Sequence, residues 1–392
     1  MFKQLPAAKT DPILAVSQLF RADTREDKTD LGVGVYKNEA GITPVMRAVK
    51  AAEQKLVDTQ DSKVYTAMTG DPAFLDAMTG LLLGDSVAPA RIAAAAATGG
   101  TGSVRLAMEL IHKANPEATV WISAPTWPNH NAIAEVVGLS WQPYRYYNAE
   151  TGGVDRAGMM EDLAQAKAGD VILLHGCCHN PTGADLTMDD WRDMAEFLKS
   201  RNLVPFLDTA YQGFGLGLDE DAQGVRHLCA TLDHVIISAS AAKNFGLYRE
   251  RAGLTLVICP EDERPLVQGT LAAINRASVS FPPDHGARIV STILTDDALR
   301  ADWEAELTEM RDRINGLRRA LADALRYTCD SDRFGYLADQ RGMFSLLGGT
   351  PEQIERLRNE FGVYIVGGGR LNMAGLTPRN IPLVARAVAQ VL

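Results

Sequence analysis

The sequence predicts an α/β protein: a largely parallel sheet with helices on both faces, followed by a smaller α+β lobe. Three observations carry that expectation. Apolar runs bounded by small or polar residues recur through the middle of the chain, in ATVWISAP (118–125), DVILLHG (170–176), LVPFLDTAY (203–211) and HVIISAS (234–240). Each has the length and apolar content of a buried strand. Between them lie stretches such as DDWRDMAEFLKSRN (189–202), with apolar residues at three- and four-residue steps, the spacing of an amphipathic helix. Alternation of the two implies a parallel sheet layered by helices. From about residue 300 the pattern changes, and ADWEAELTEMRDRINGLRRALADAL reads as one long amphipathic helix leading into the smaller lobe.

The totals fit that plan and narrow the function. A chain of 392 residues suits two domains, or one large core with an appendage. Its net charge of −10 argues against nucleic-acid or anionic-membrane partners, which favour a basic face. A local basic pocket for a small anion stays compatible with it. The five cysteines, Cys177, Cys178, Cys229, Cys259 and Cys329, are odd in number and have no zinc-ligand spacing, so neither a disulfide framework nor a metal site is expected. The adjacent Cys177 and Cys178 read as small apolar fillers. MFKQLPAAKTDPIL lacks the apolar run of a signal peptide and no stretch is long enough to span a bilayer, so a cytoplasmic protein is expected.

Ligands of open parallel sheets bind at the carboxyl ends of the strands. Those ends are well furnished here: Trp127 and His130 in SAPTWPNH, His175, His179 and Asn180 in LLHGCCHNPTG, Asp208 and Tyr211 in FLDTAYQG, and Ser240 and Lys243 in SASAAKNFG. Such residues, each just past a separate strand, suggest one assembled site.

Their types point to a chemistry. In TGGTGSVRLAMELI (98–111) a glycine cluster opens a helix, and exposed backbone N–H groups at a helix N-terminus hold phosphate. A tight turn would explain the glycines equally well. The Gly-Lys-Ser/Thr ending of a Walker loop is absent, and Leu106 stands where a dinucleotide fingerprint needs its third glycine. Lys243, set among small residues with Arg251 nearby, would have its ammonium form disfavoured, leaving an amine able to condense with a carbonyl. Asp208 follows the apolar LVPFL; it would cap a helix, or pair with a protonated ring nitrogen. Trp127 offers a face for stacking, or a core side chain. A phosphate cradle, an amine, a carboxylate and an aromatic plate together describe the binding of pyridoxal 5'-phosphate.

The chain resembles the aspartate and aromatic amino acid aminotransferases, of fold type I among the pyridoxal-phosphate enzymes. The likeness runs nearly end to end through DPIL, LGVGVYKNEAG, HNPTG, DTAYQGF, KNFGLYRER, FPPDHGARI, RGMFSLLG and GGGRLNMAGL. It implies an N-terminal arm over 1–12 that contacts a second subunit, a small domain from 13–42 and 310–392, and a large cofactor domain over 43–309. It further implies that Lys243 binds the cofactor as a Schiff base and then shuttles the substrate's α-proton. Asp208 would hold the pyridinium proton, with His130 and His175 behind it; Asn180 and Tyr211 would bond the phenolic oxygen, and Trp127 would stack on the ring. Gly100, Thr101, Ser240 and Arg251 would hold the phosphate, joined by Tyr65 of the neighbouring subunit in a homodimer.

Arg370 would grip the substrate's α-carboxylate, approached also by the Gly34 backbone, and Arg276 from the neighbour would pair with a side-chain carboxylate. Ile13, Val35 and Phe281 are expected as apolar walls for aromatic substrates. Ala242 departs from the family, which often has serine there, so one hydroxyl to the phosphate is missing. The expectation is a ping-pong aromatic amino acid aminotransferase that also accepts aspartate, with plain aspartate aminotransferase as the alternative. A Rossmann-type oxidoreductase leaves Lys243 and Arg251 unexplained, and a non-catalytic pyridoxal-phosphate protein would be expected to carry an added DNA-binding segment or to have lost the lysine.

Overall fold

A computed structural model describes residues 2–5 and 12–392. The arm expected over residues 1–12 therefore lies largely outside the described residues, and with it the expected subunit contact.

Seven strands form the main sheet, in the spatial order Ile92–Thr98, Ala252–Ile258, Val235–Ser240, Val204–Thr209, Val171–His175, Thr119–Ala124 and Ser140–Arg145. Only Ala252–Ile258 runs against its neighbours; the other pairings are parallel. The apolar runs read as strands are strands because both of their faces are covered. On Val171–His175 the side chains of Val171 and Leu173 enter a cluster with Val104, Met108 and Ile111 of the helix Gly99–Ala114. Ile172 and Leu174 point the other way, into the large cluster that holds Trp191, Met194 and Leu198 of the helix Met188–Arg201. Period-two alternation between two helical layers is what a continuous apolar strand requires.

Three strands of the main sheet were not expected: Ser140–Arg145, Ile92–Thr98 and Ala252–Ile258. Ile92–Thr98 is an alanine run at the sheet edge, and alanine is a poor strand former on propensity. Packing overrides propensity here. A Cβ at Gly70 would lie 2.5 Å from Ala96 Cβ, so the neighbouring loop approaches too closely for larger side chains. The open edge is covered by the helix Arg264–Ser278: Gln268 accepts from Ala94 N at 2.9 Å and donates to Ala94 O at 2.8 Å, and Arg264 Nε donates to Ile92 O at 2.7 Å. Backbone groups that would template another strand are thereby satisfied. Its partner Ala252–Ile258 closes over the helix start, where a Cβ at Gly253 would lie 2.5 Å from the Gly99 carbonyl carbon.

The long helix runs from Asp297 to Cys329, 33 residues, and is capped by Asp296, whose carboxylate accepts from Ala298 N and Leu299 N. Near its start Trp303 stacks on Phe245 at 4.3 Å and donates to Asn244 O at 2.7 Å. The expected domain boundary at 309/310 thus falls inside one uninterrupted helix that is anchored beside residue 243. The N-terminal strand Thr29–Asp30 pairs with Val363–Tyr364, and within the C-terminal part Phe344–Leu346 pairs with Arg370–Asn372. All five cysteines are free, four of them buried, as fillers would be. Among the described residues no helix is long and apolar enough to cross a membrane.

Candidate active site

The sheet places Asp208 in register with His175 on one side and Ser238 on the other. Two residues past the end of Val235–Ser240 the chain turns, with Gly246 N donating to Lys243 O at 3.0 Å, and this turn carries Lys243. Its Nζ lies 5.1 Å from the centroid of the buried Tyr211 ring. Burial pushes the Lys243 amine below its usual range; Asp208 opposes the shift and Arg251 adds to it. The amine is therefore biased toward its neutral, nucleophilic form.

Behind Asp208 stands a chain of imidazoles. Asp208 Oδ2 is 3.1 Å from His130 Nε2, and His130 Nδ1 is 2.8 Å from Thr126 Oγ1. An ionised carboxylate only accepts, so Nε2–H donates to Asp208, while Nδ1 hydrogen-bonds the threonine hydroxyl. Burial alone would raise the Asp208 pKa, but the His130 hydrogen bond and the nearby positive charge outweigh it, and the carboxyl sits below its usual value. Trp127 meets His130 edge-on at 5.2 Å. His175 lies further back: its ring packs against His130 at 5.3 Å and His179 at 4.1 Å, both its nitrogens lack a hydrogen-bond partner, and burial drives its pKa down to about 3. It is a neutral ring beside the pair, with a nitrogen within 4.8 Å of the Asp208 carboxylate but no hydrogen bond to it.

Gly99, Gly100, Ser240 and Arg251 converge at the start of the helix Gly99–Ala114. Gly99 has φ +67°, and a Cβ there would stand 2.6 Å from Arg251 Nη2. At Gly100 a Cβ would be 3.3 Å from Ser240 Cβ. Only glycine leaves the N-terminus open to the serine hydroxyl and the guanidinium. Thr101 sits half-buried in the first turn, and Ser240 Oγ accepts from Ala242 N at 3.2 Å. The buried Ala242 side chain adds no hydroxyl.

Arg370 is buried on the strand Arg370–Asn372, donating through Nη2 to Gly32 O at 2.9 Å. Its guanidinium lies 4.4 Å above the Phe344 ring, which meets Tyr211 edge-on at 6.0 Å. A Cβ on Gly34 would be 2.9 Å from Phe344 Cζ, so the loop packs onto that ring only as glycine. Val35 flanks Gly34 in this loop, and Ile13 lies on the helix Pro12–Ala22, its carbonyl accepting from Ser17 Oγ. Asn180 is buried with an amide oxygen that has no hydrogen-bond partner. The turn before it is held by Asp185, which accepts from Cys178 N and His179 N, each at 2.8 Å, and whose carboxyl burial pushes up to about 6.

Tyr65, Arg276 and Phe281 form a separate group. Tyr65 is 82% exposed and stacks on Phe281 at 4.7 Å, while the exposed Arg276 donates to Ser280 Oγ. Among the described residues none of the three hydrogen-bonds to or stacks on Lys243 or Asp208. Phe281, expected as a pocket wall, keeps company with Tyr65 on this surface.

The family model for aminotransferases of class I and II matches residues 26–388. The chain belongs to this family. Among similar proteins, the aromatic-amino-acid aminotransferase of Paracoccus denitrificans is 52% identical and the aspartate aminotransferase of Escherichia coli K12 is 44% identical, each over the full length of both chains. A solved aromatic amino acid aminotransferase with 3-indolebutyric acid superposes at a TM-score of 0.98, at 52% identity and full coverage of both chains. The Burkholderia pseudomallei aromatic-amino-acid aminotransferase, described as covalently bound to pyridoxal phosphate, superposes at 0.96 with 42% identity over 100% of this chain and 99% of that one.

Sequence reasoning missed several residues that shape this aminotransferase's site. Thr126 orients His130, Asp185 ties down the turn before Asn180, Phe344 floors Arg370, and Asn372 holds the Gly34 loop. Phe344 and Asn372 do lie inside the RGMFSLLG and GGGRLNMAGL stretches, but nothing local marks their partners.

Proposed function

We propose that this aminotransferase carries pyridoxal 5'-phosphate. It moves the α-amino group of phenylalanine, tyrosine, tryptophan and aspartate to 2-oxoglutarate, giving a 2-oxo acid and glutamate, the two substrates taking turns at one site. The observation that carries the reading is the meeting of three unlike features at the strand ends: a lysine amine held toward neutrality, a buried ionised aspartate, and a glycine-floored helix start facing Ser240 and Arg251. The cofactor's aldehyde, ring nitrogen and phosphate want that set. When bound, the group supplies an electron sink for the α-carbon and carries the amino group between substrates.

The chain's own residues do the rest. Lys243 holds the group covalently until substrate arrives, and its freed neutral amine then takes the α-proton. Asp208, kept ionised and oriented by His130, holds the ring-nitrogen proton in place. Gly100, Thr101, Ser240 and Arg251 supply donors to the phosphate. Trp127 would stack on the ring, and Tyr211 and the Asn180 amide would serve its hydroxyl. Arg370 binds the α-carboxylate in its planar fork, beside the Gly34 backbone. Closure of the small lobe over the occupied site excludes water.

Tyr65 and Arg276 serve the site of a second subunit in a C2 homodimer. Supporting this is the exposed apolar pair Val64 and Tyr65, 81% and 82% exposed, the second stacked on the half-buried Phe281. There Tyr65 would reach the phosphate and Arg276 the side-chain carboxylate of aspartate or glutamate. Aromatic substrates are supported by the 52% identity to an aromatic-amino-acid aminotransferase, above the 44% to aspartate aminotransferases.

Borohydride reduction of the cofactor-loaded protein, followed by peptide mapping, tests the assignment. The cofactor should be fixed to Lys243; fixation at another lysine would refute the site.

A further inference from the structure

Asn372 makes an unusual set of bonds. The residue is 1% exposed, and its single amide nitrogen donates to two carbonyls, Val33 O at 2.6 Å and Val35 O at 2.7 Å. Its amide oxygen accepts from Ala374 N at 2.9 Å, and its backbone N–H donates to Leu31 O at 2.7 Å. The two carbonyls flank Gly34. Two residues earlier on the same strand, Arg370 donates to Gly32 O at 2.9 Å. One strand therefore presents the guanidinium and fixes, through residues 339 and 337 positions apart, the loop that faces it.

We infer that Asn372 is a positioning residue for carboxylate recognition: its amide sets the backbone of Gly34 relative to Arg370. The inference rests on the proposed role of Arg370 as the substrate's carboxylate grip. A carbonyl pair with a gap of one residue between them, both drawn to one nitrogen, pins the intervening peptide from both sides. The Gly34 peptide also lies on Phe344, where no Cβ fits. That ring in turn supports the guanidinium at 4.4 Å. The loop consequently has one height it can adopt above the grip. Without the amide, the Val35 carbonyl loses its side-chain donor and the Val33 carbonyl keeps only Val35 N at 3.0 Å, so the loop relaxes toward other partners. A grip that needs its donors at a fixed separation then loses affinity for carboxylates, while the cofactor's own contacts at Lys243, Asp208 and Arg251 are untouched.

Asn372→Ser tests this. Serine retains an oxygen to cap Ala374 N but cannot reach both carbonyls. The dissociation constant of 3-phenylpropionate, an acid with no amine to react, is measured by calorimetry on the cofactor-loaded protein, along with KM, kcat and cofactor affinity. The expected result is about a tenfold rise in that dissociation constant and in KM for amino and 2-oxo acids, with kcat and cofactor affinity within about threefold of the native values. Asn372→Asp keeps the same shape and the capping oxygen but turns both donors into acceptors, and should show a larger rise; it serves if the serine variant does not fold. An unchanged dissociation constant in either folded variant, beside an active native protein, overturns the inference alone. So does a parallel fall in kcat and cofactor affinity, which would mark Asn372 as general scaffold. A native protein that neither binds the acid nor transaminates would overturn the proposed function and this inference together.

Discussion

His130 Nε2 stands 3.1 Å from Asp208 Oδ2, with the imidazole fully buried and its other nitrogen 2.8 Å from Thr126 Oγ1. This pair decides whether the deepest carboxylate of the site is ionised. Burial pulls its pKa up and His130 pulls it down, and the second influence prevails. A carboxyl whose folded pKa lies below its unfolded value stabilises the fold above the ordinary carboxylate range and loses that contribution as pH falls through the folded pKa. His130→Phe removes the hydrogen bond that most opposes burial and leaves mainly Lys243 to oppose it, so the Asp208 pKa should rise and its contribution to stability at neutral pH should fall. Urea unfolding of the cofactor-free variant should show a loss of about 3–5 kcal/mol at pH 7, as for other buried charges stripped of a partner, shrinking as the pH is lowered.

Lys243 gives the opposite case. Its folded pKa lies below that of an ordinary lysine because burial disfavours the ammonium. Below both values the fold must hold an unwelcome charge, and stability rises as pH climbs from the folded value to the unfolded one. Lys243→Met removes that burden. The cofactor-free variant should be at least as stable as the native protein at pH 7 in urea unfolding, the difference fading toward pH 10.5, while transamination is lost. A destabilised variant that still turns over would reject the assignment.

Gly99→Ala asks whether the helix start is a phosphate cradle. The new Cβ meets the Arg251 guanidinium at 2.6 Å on a backbone at φ +67°. Displacing one charged donor costs about 1.5–3 kcal/mol. Titration with pyridoxal 5'-phosphate should show affinity weakened by about tenfold or more, with substrate KM at saturating cofactor little changed.

Much of this site was legible before any coordinates because parallel sheets concentrate function at strand ends. Asp208, Lys243 and Asn180 each follow a run that is apolar on both faces, and such runs are hard to mistake. The alanine strand Ile92–Thr98 was not legible, since its strand character comes from a close approach at Gly70 and from Gln268, 174 positions away in sequence. Resemblance put His130 and His175 together behind Asp208; the structure brings all three within 4.8 Å, with only His130 hydrogen-bonded to the carboxylate. Asn372 carries no local signal, because an asparagine two residues past an arginine says nothing of the loop it will meet.

Subunit mixing tests the shared site. Neither Lys243→Ala nor Arg276→Ala should transaminate aspartate well alone. In a mixed dimer, the Arg276→Ala subunit keeps its lysine and borrows Arg276 from its partner, restoring one site. Random reassortment should return about a quarter of native aspartate activity. No recovery after exchange, shown by mass spectrometry to be complete, would mean that each chain serves itself.

The central claim is most directly tested by a half-reaction. The protein is loaded with pyridoxal 5'-phosphate, every 2-oxo acid is left out, and L-phenylalanine or L-aspartate is added separately while the cofactor's visible absorption is followed. Loss of that band at comparable rates with both amino acids is the predicted result. Loss with aspartate alone would make this an aspartate aminotransferase, and a band unchanged by either would contradict the account.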